Sequence, residues 1–381
     1  MRLDPAAISK GGDFWSQRLK RSAYQHYRVL MYHTYLTILV PALIALAVSL
    51  IVTRFLISYM RGAGVVGIDK NKKKPVVIAS SGGVAVALGF AVGILAYSFG
   101  GSFPNPSSPL YIPVASLQYL FASVIAVLMI SLVGFIDDIN VKRHQVQSTD
   151  MKDIRAGLKQ WQKPLLTLFG AIPLMAVNAG ISLIHLPFIG IVNFGIVYPL
   201  VIIPLAVIFA SNAFNLVESG NGMAAGGGLI TSLGLFIYSV YFGTYIGALL
   251  SIVLFASILG FFFYNRYPAK ILSGDSFTYA VGTGLVSAMI LGNMESFGII
   301  IFLPWIIEFV LHARKRFKVT TLGKRRADGT FAAPYDRKIY SWTHIIMNLG
   351  KFNEWQISAL MWLMEFGFVV LAFALKGLNL L

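Results

Sequence analysis

Ten apolar runs follow one another along this 381-residue chain. About twenty helical residues cover the ~30 Å hydrocarbon core of a bilayer, so most of these runs are long enough to cross it. The pattern predicts an all-α integral membrane protein with about ten transmembrane helices. The runs lie near residues 35–59, 75–99, 116–136, 164–184, 195–213, 225–241, 246–264, 277–292, 297–311 and 356–375.

The connections between the runs differ sharply in their content of Lys and Arg. The first, third, seventh and ninth connections hold five, six, two and ten basic residues, whereas the fifth and all the even-numbered connections hold none. Lys and Arg are enriched in the cytoplasmic loops of membrane proteins. We therefore expect the odd-numbered connections in the cytoplasm, within a transmembrane domain over 35–381 that has its largest cytoplasmic loop at 312–355.

The N-terminal segment 1–34 does not follow this rule, because it carries six basic residues while ten spans would place it outside. Trp15, Leu19, Tyr24 and Tyr27 could share one apolar face, which favours an amphipathic helix in the membrane interface. The alternative is that the number of spans differs from ten by one.

The composition agrees with a membrane protein. Hydrophobic residues make up 57% of the chain and charged residues 12%, whereas a soluble domain has about 25% charged residues. The net charge of +16 follows largely from the loop bias and suits anionic lipid headgroups. An anionic substrate would also explain it, whereas we expect no nucleic-acid partner. With no cysteine, the chain has neither disulfides nor thiolate metal ligands.

Three aspartates stand at predicted cytoplasmic ends of the apolar runs. Asp137 and Asp138 end the third run, and Asp275 begins the eighth. Carboxylates near hydrocarbon are costly unless they are paired, hydrated or bound to metal, so they mark a candidate functional site. The alternatives are a helix N-cap for Asp275 and a hydrated interfacial pair for the other two.

The fifth connection, 211–228, is rich in Asn and Gly and has no basic residue. A turn would explain Gly220 and Asn221, but it explains Asn212 and Asn215 less well. Amide and carboxylate oxygens are ligands for hard cations such as Mg²⁺ or Mn²⁺, which commonly bind substrate phosphates as well. The segment therefore indicates a metal site at the same membrane face as the three aspartates.

Basic residues supply the opposite charge at this face. Arg314, Lys315 and Arg316 follow the ninth run, and Lys163 precedes the fourth. Guanidinium groups bind phosphate oxygens in pairs and ammonium groups act as point charges, although a purely topological role for these residues is the alternative. Carboxylates, amides and cations at one face together favour metal-assisted phosphoryl transfer.

Four ordered motifs and a basic stretch carry a resemblance to a known family, the polyprenyl-phosphate N-acetylhexosamine-1-phosphate transferases. The resemblance spans roughly residues 66–375. Within the family, the chain resembles the eukaryotic and archaeal dolichyl-phosphate branch rather than the bacterial cell-wall branch. The motifs are GFIDD (134–138), NAFN (212–215), NG (221–222), YNRYPAKILSGDSF (264–277) and RKR (314–316).

The resemblance implies transfer of N-acetylglucosamine-1-phosphate from UDP-GlcNAc to dolichyl phosphate, with release of UMP, as a first lipid-linked step of protein glycosylation or surface-glycan assembly. By this resemblance Asn215 and Asp275 match the ligands of Mg²⁺, with Mn²⁺ as an alternative. Asp137 and Asp138 match an aspartate pair that handles the lipid phosphate and organises the metal site. Lys163 matches a pyrophosphate-binding lysine.

The same resemblance implies the contacts to the donor. Arg314 matches a pyrophosphate contact, Lys315 and Arg316 match the pocket for the acetamido sugar, and Asn221 matches a uracil contact. Asn212 is expected to bind substrate beside them. The expected location is the cell membrane for an archaeal chain or the endoplasmic reticulum membrane for a eukaryotic one, with the active site facing the cytoplasm.

Two alternatives remain open from the sequence. Within the enzyme class, the donor could be another UDP-N-acetylhexosamine or the acceptor undecaprenyl phosphate. From another class, a transporter for an anionic solute could use the Gly-rich break near 224–228 as a substrate site. The sequence shows no duplicated halves and gathers its acidic residues at one face, which favours the enzyme. Membrane lipids are expected partners, and a homodimer is compatible with the sequence.

Overall fold

The computed structural model describes residues 37–105, 108, 112–139, 158, 161–187, 189–242 and 245–381. The predicted N-terminal segment 1–34 lies outside the described residues. Within them the protein is mostly helical, with three small two-stranded antiparallel sheets.

The helices are numbered in chain order, and one 3₁₀ turn (Leu168–Ala171) and one π-helical turn (Tyr198–Ile202) adjoin them. They are α1 (Leu39–Ala63), α2 (Gly83–Ser102), α3 (Val114–Ile139), α4 (Gln162–Thr167), α5 (Ile172–Ala176), α6 (Ile203–Leu216), α7 (Met223–Phe242), α8 (Tyr245–Asn265), α9 (Asp275–Leu291), α10 (Glu295–Ile301), α11 (Leu303–Ala313), α12 (Trp342–Leu349) and α13 (Glu354–Gly377). The strands are β1 (Val66–Asp69), β2 (Val76–Ala79), β3 (Leu183–Leu186), β4 (Gly190–Asn193), β5 (Lys324–Arg325) and β6 (Phe331–Ala332).

Seven helical segments of the described chain are long and apolar enough to cross a membrane. The pair α10 and α11, bent by 54° at Phe302, makes up to eight. A multi-pass membrane protein is therefore confirmed, whereas the count of ten stays a prediction. Two predicted runs give shorter helices: α9 has 17 residues, and the fourth run breaks into α4, the 3₁₀ turn and α5.

Two predicted runs are longer than the helices they contain. The run at 75–99 begins with a β-strand, because Val76, Val77 and Ile78 are β-branched and follow a Lys-rich turn, and its helix starts only at Gly83. The run at 164–184 ends its helix at Ala176 and continues into the β3–β4 hairpin. Apolar composition alone does not separate a buried strand from a helix in such short pieces.

Helix α9 lies at the centre of the bundle, and every one of its residues is buried. It packs against α2, α3, α6 and α8. Small residues on the neighbouring helices allow this close approach: a Cβ on Gly134 of α3 would lie 2.5 Å from the Asp275 carbonyl carbon, and one on Gly83 of α2 would overlap the backbone of Phe277. The start of α9 is therefore clamped between two helices.

The β1–β2 hairpin is joined to the segment that leads into α9. Ala79 pairs with Ile271, and the Ala79 carbonyl accepts a hydrogen bond of 2.8 Å from the Leu272 amide. The Gly82 amide donates in turn to the Leu272 carbonyl at 3.0 Å. These backbone bonds hold the 266–274 connection against the N-terminus of α2.

A pair of glycines in α2 tests the packing of α9. Gly83→Ala places a methyl group against the Phe277 backbone, so we expect a loss of stability of about 1–3 kcal/mol, the usual range for overpacking. A Cβ added to Gly100, in the same helix, would have no neighbouring atom within 4 Å, so Gly100→Ala should be neutral or mildly stabilising. Thermal unfolding of the two purified variants measures the difference, and equal unfolding temperatures would contradict the packing.

Candidate active site

The three predicted aspartates meet where α3 ends and α9 begins. The carboxylate of Asp138 accepts hydrogen bonds from the backbone amides of Asp275 at 2.8 Å and Ser276 at 3.2 Å. These are free amides of the first turn of α9, so a residue of another helix caps it. Gly274 makes this possible, because its φ is +71° and a Cβ there would overlap the Asp138 carboxylate.

Lys163 bridges the other two carboxylates. Its ammonium lies 2.6 Å from Asp137 Oδ2 and 2.7 Å from Asp275 Oδ2, and both aspartates are buried. Burial lowers the pKa of Lys163, but the charges and hydrogen bonds of Asp275 and Asp137 outweigh that effect, and the pKa is raised above its ordinary value. Lys163 is therefore charged at neutral pH and compensates two carboxylates at once.

The asparagines of α6 complete the cluster. Asn215 Nδ2 donates to Asp275 Oδ1 at 2.7 Å, so Asn215 stands directly beside the central carboxylate. Asn212, one turn earlier, donates to Thr167 Oγ1 at 3.0 Å and to the Ile208 carbonyl at 2.8 Å. The structure thus brings Asn215 into contact with Asp275 and places Asn212 against the helix that carries Lys163.

The donor set suits a hard cation. Asp275 and Asp137 converge on one positively charged group, and the oxygen and nitrogen of the Asn215 amide can exchange places by rotation about the last side-chain torsion. Mg²⁺ commonly takes one or two carboxylates and completes its shell with water and substrate phosphate. Among the described residues no group of three or more His, Cys, Asp and Glu side chains is arranged to hold a metal by itself.

The basic stretch 314–316 follows α11 and interacts with the loop that precedes α12. The Lys315 ammonium lies 3.4 Å from the centre of the Tyr335 ring, and Arg314 Nη1 lies 3.5 Å from the Ile339 carbonyl. Arg316 has a φ of +52° and is exposed. In the described parts of the chain, no ion pair joins these three residues to the aspartates.

Two buried residues of α11, which precedes this stretch, were not identified from the sequence. Glu308 and His312 are buried in α11 and lie 3.1 Å apart, and the second Glu308 oxygen accepts the Trp342 amide at 2.9 Å. They connect α11 to the start of α12 and so support the basic stretch between them. A signal was present, because Glu308 is an ionisable residue inside an apolar run.

Tyr279 was missed as well. It lies one helical turn after Asp275 in α9, and its side chain is fully buried. The i,i+4 spacing from Asp275 was the only signal for it in the sequence.

Asn221 lies in a second polar cluster. Its side-chain oxygen accepts hydrogen bonds from Lys72 Nζ and from the Ala269 amide, both at 3.0 Å, and its amide nitrogen donates to Asp69 at 3.2 Å. Asn221 is only 5% exposed. The predicted contact with uracil stays a prediction, and the contacts present here are with the protein itself.

Comparison with known proteins supports the family resemblance independently of the motifs. The model of glycosyl transferase family 4 matches residues 120–293, which contain Asp137, Lys163, Asn215 and Asp275. A relative from Saccharolobus solfataricus is 34% identical over 343 residues, covering 90% of this chain and 97% of the relative. One from Sulfolobus acidocaldarius is 33% identical over 339 residues, covering 88% and 95%. Both carry the provisional name UDP-N-acetylglucosamine–dolichyl-phosphate N-acetylglucosaminephosphotransferase.

A more distant relative comes from the bacterial side. The phospho-N-acetylmuramoyl-pentapeptide-transferase of Lactiplantibacillus plantarum is 32% identical over 211 residues, covering 54% of this chain and 61% of the relative. The two archaeal relatives align along almost the whole chain instead, in agreement with the expected dolichyl-phosphate branch. The aspartate–lysine–asparagine cluster thus lies in a chain that belongs to glycosyl transferase family 4.

Proposed function

We propose that this protein transfers N-acetylglucosamine-1-phosphate from UDP-GlcNAc to dolichyl phosphate, giving GlcNAc-diphospho-dolichol and UMP. The observation that carries the proposal is the cluster in which Lys163 bridges Asp137 and Asp275 beside Asn215. The names of the two archaeal relatives, which align over about nine tenths of this chain, support the donor and the acceptor.

The reaction joins two anions. An oxygen of the dolichyl phosphate attacks the β-phosphorus of UDP-GlcNAc, a new P–O bond forms, and the bond from that phosphorus to the bridging oxygen breaks, so that UMP leaves with the electron pair. A phosphate monoester is largely ionised near pH 7, since its second pKa is about 6, and it needs no strong base. The task of the protein is to offset repulsion and to stabilise the leaving phosphate.

The residues of the cluster suit this task. Lys163 supplies a charged donor for the pyrophosphate, and Asp137 holds its ammonium in place. Asp138 caps α9 and thereby orients Asp275. Asn215 and Asp275 would hold Mg²⁺, or Mn²⁺ in its place, and the ion would supply positive charge to the phosphate oxygens.

The donor side is assigned to the basic stretch and the asparagines. Arg314 binds the pyrophosphate, and Lys315 and Arg316 form the pocket for the acetamido sugar. Asn221 contacts uracil and Asn212 contacts substrate near Lys163. The support for these roles is the match of their motifs to the family, together with the cationic character of the 314–316 stretch next to α11.

The alternation of basic connections supports ten spans and an active site that faces the cytoplasm. The ends of α3 and α9 that carry the aspartates adjoin basic connections, so the lipid phosphate would lie at this interface with its chain among the helices. We infer that the protein resides in the cell membrane of an archaeon. A homodimer stays compatible with this arrangement.

The proposed reaction is tested by measuring UMP released by the purified protein. With UDP-GlcNAc and dolichyl phosphate, we expect UMP release that stops in EDTA and returns with Mg²⁺ or Mn²⁺. Asp275→Asn should lower the rate at least ~10²-fold, the scale of losing one main electrostatic contact at a reacting centre. Asn105→Ala, at an exposed connection remote from the site, serves as the control.

Three outcomes would contradict the proposal. Full activity in EDTA after dialysis would exclude a requirement for a divalent metal ion. A preference for undecaprenyl phosphate would contradict dolichyl phosphate as the acceptor, and a preference for another UDP-N-acetylhexosamine would contradict UDP-GlcNAc as the donor. Uptake of an anionic solute into liposomes without UMP release would favour the transporter instead.

The orientation predicts a pattern of chemical labelling. A cysteine at Ala327, in the loop after α11, should be protected from a membrane-impermeant thiol reagent in intact cells, because that loop faces the cytoplasm. A cysteine at Asn105, between α2 and α3, should react. Both residues are exposed, and the chain has no native cysteine. Labelling only at Ala327→Cys would reverse the assigned face.

The basic stretch predicts a difference in sugar discrimination. Arg314→Ala should lower kcat/KM for UDP-GlcNAc and for UDP-glucose by the same factor, because both donors carry the pyrophosphate. Arg316→Ala should lower the ratio of kcat/KM for UDP-GlcNAc over UDP-glucose by about 10-fold, because only the acetamido group loses a charged hydrogen-bond partner. An unchanged ratio in Arg316→Ala, with both efficiencies reduced, would assign Arg316 to phosphate binding or to topology.

A further inference from the structure

Two loops adjoin Asn215 and Asp275, the pair proposed to bind the metal ion, and hydrogen bonds join the two loops at both ends. Asn215 lies in the last turn of α6 and Asn221 near the end of the α6–α7 connection, while Ala269 lies in the α8–α9 connection and Asp275 is the first residue of α9. At the site, Asn215 Nδ2 donates to Asp275 Oδ1 at 2.7 Å, and six residues away the Ala269 amide donates to Asn221 Oδ1 at 3.0 Å. Between these points, the Ser273 hydroxyl bonds to the Glu218 carboxylate. The two loops therefore form a closed ring, which we call the site ring (215–221 and 269–275).

The far end of the site ring is held by Asn221. Its side-chain oxygen accepts the Ala269 amide and Lys72 Nζ, its side-chain nitrogen donates to Asp69, and its backbone amide donates to Glu354 Oε1 at 2.9 Å. An amide oxygen accepts about two hydrogen bonds, so this one is fully used. Asn221 is thereby fixed to β1 and to the start of α13 as well as to the other loop.

Lys72 is the central charge of this attachment. Its ammonium lies 2.7 Å from Glu354 Oε2, 3.2 Å from Asp69 Oδ2 and 3.0 Å from Asn221 Oδ1. It also lies 4.1 Å from the centre of the Tyr267 ring, just before the second loop of the site ring. Asp69 and Glu354 are buried, so removing Lys72 would take away the ammonium that lies between these two carboxylates, and their repulsion would displace the Glu354 oxygen that accepts the Asn221 amide.

We propose that Lys72 is a positioning residue that sets the placement of Asn215 relative to Asp275 and, through it, the affinity of the site for its divalent cation. The proposal rests on the metal site of the proposed function. Metal–ligand distances lie within about 0.2 Å of standard values. Mutation of the outer groups that orient the ligands typically lowers metal affinity by about 10- to 100-fold. Lys72 acts on Asn215 and Asp275 through the two loops of the site ring and contacts neither of these two residues.

The test uses the purified full-length protein in two measurements. The first is the Mg²⁺ concentration that gives half-maximal UMP release, and the second is the Mg²⁺ concentration that gives half of the rise in unfolding temperature without substrate. Lys72→Met should raise both by about 10-fold or more, with kcat at saturating Mg²⁺ much less affected. Lys73→Met is the matched control, since Lys73 is exposed and the change in charge is the same.

A second variant covers the case in which Lys72→Met does not fold. Glu354→Gln keeps the oxygen that accepts the Asn221 amide and removes the charge that holds Lys72, so both Mg²⁺ midpoints should shift in the same direction by a smaller factor. Wild-type midpoints in every folded variant would overturn the positioning role while leaving the proposed function intact. A wild-type protein that responds to Mg²⁺ in neither measurement would overturn the metal site itself, and the positioning role with it.

Discussion

The ammonium of Lys163 between Asp137 and Asp275 is the interaction on which the active site depends. Two carboxylates so close together at the end of buried helices repel each other and lose much of their hydration, and both effects destabilise the cluster. The Lys163 ammonium, 2.6 Å from Asp137 and 2.7 Å from Asp275, offsets the repulsion and replaces part of the lost hydration with hydrogen bonds. The short helix α4 is needed for this reason, because it brings Lys163 back to the ends of α3 and α9.

The fold supplies the second requirement, a close approach of α2 and α3 to the start of α9. Gly134 and Gly83 face the backbone of α9 at points where a methyl group would not fit. Gly274 adopts the backbone conformation that places the α9 amides against Asp138. Small residues at these positions let charged groups meet at a depth where larger side chains would have separated them.

The sequence predicted the apolar runs and the carboxylate cluster well, because both depend on strong local signals. Asp137, Asp138 and Asp275 stood out as rare charges beside apolar runs, and the structure brings them together with Lys163. The β1–β2 hairpin was missed, since four apolar residues next to a long apolar run look like part of one helix. The bend between α10 and α11 was also missed.

The contacts of Asn221 could not have been predicted from the sequence. Its partners Asp69, Ala269 and Glu354 are far from it along the chain, and Lys72 reads as one of four basic residues in a topological cluster. Which lysine of such a cluster turns inward depends on how the hairpin docks, and no local pattern encodes that. The roles carried over from the family therefore rest on motifs, while their surroundings had to come from the structure.

The cap that Asp138 provides to α9 also affects how the protein can move. Because a carboxylate of α3 accepts hydrogen bonds from the first amides of α9, sliding these two helices past each other would break both hydrogen bonds. The basic stretch 314–316 has no such bond to them and follows the bent segment formed by α10 and α11. A relative displacement of the 314–316 stretch and the α3–α9 pair would therefore leave the Asp138 cap intact.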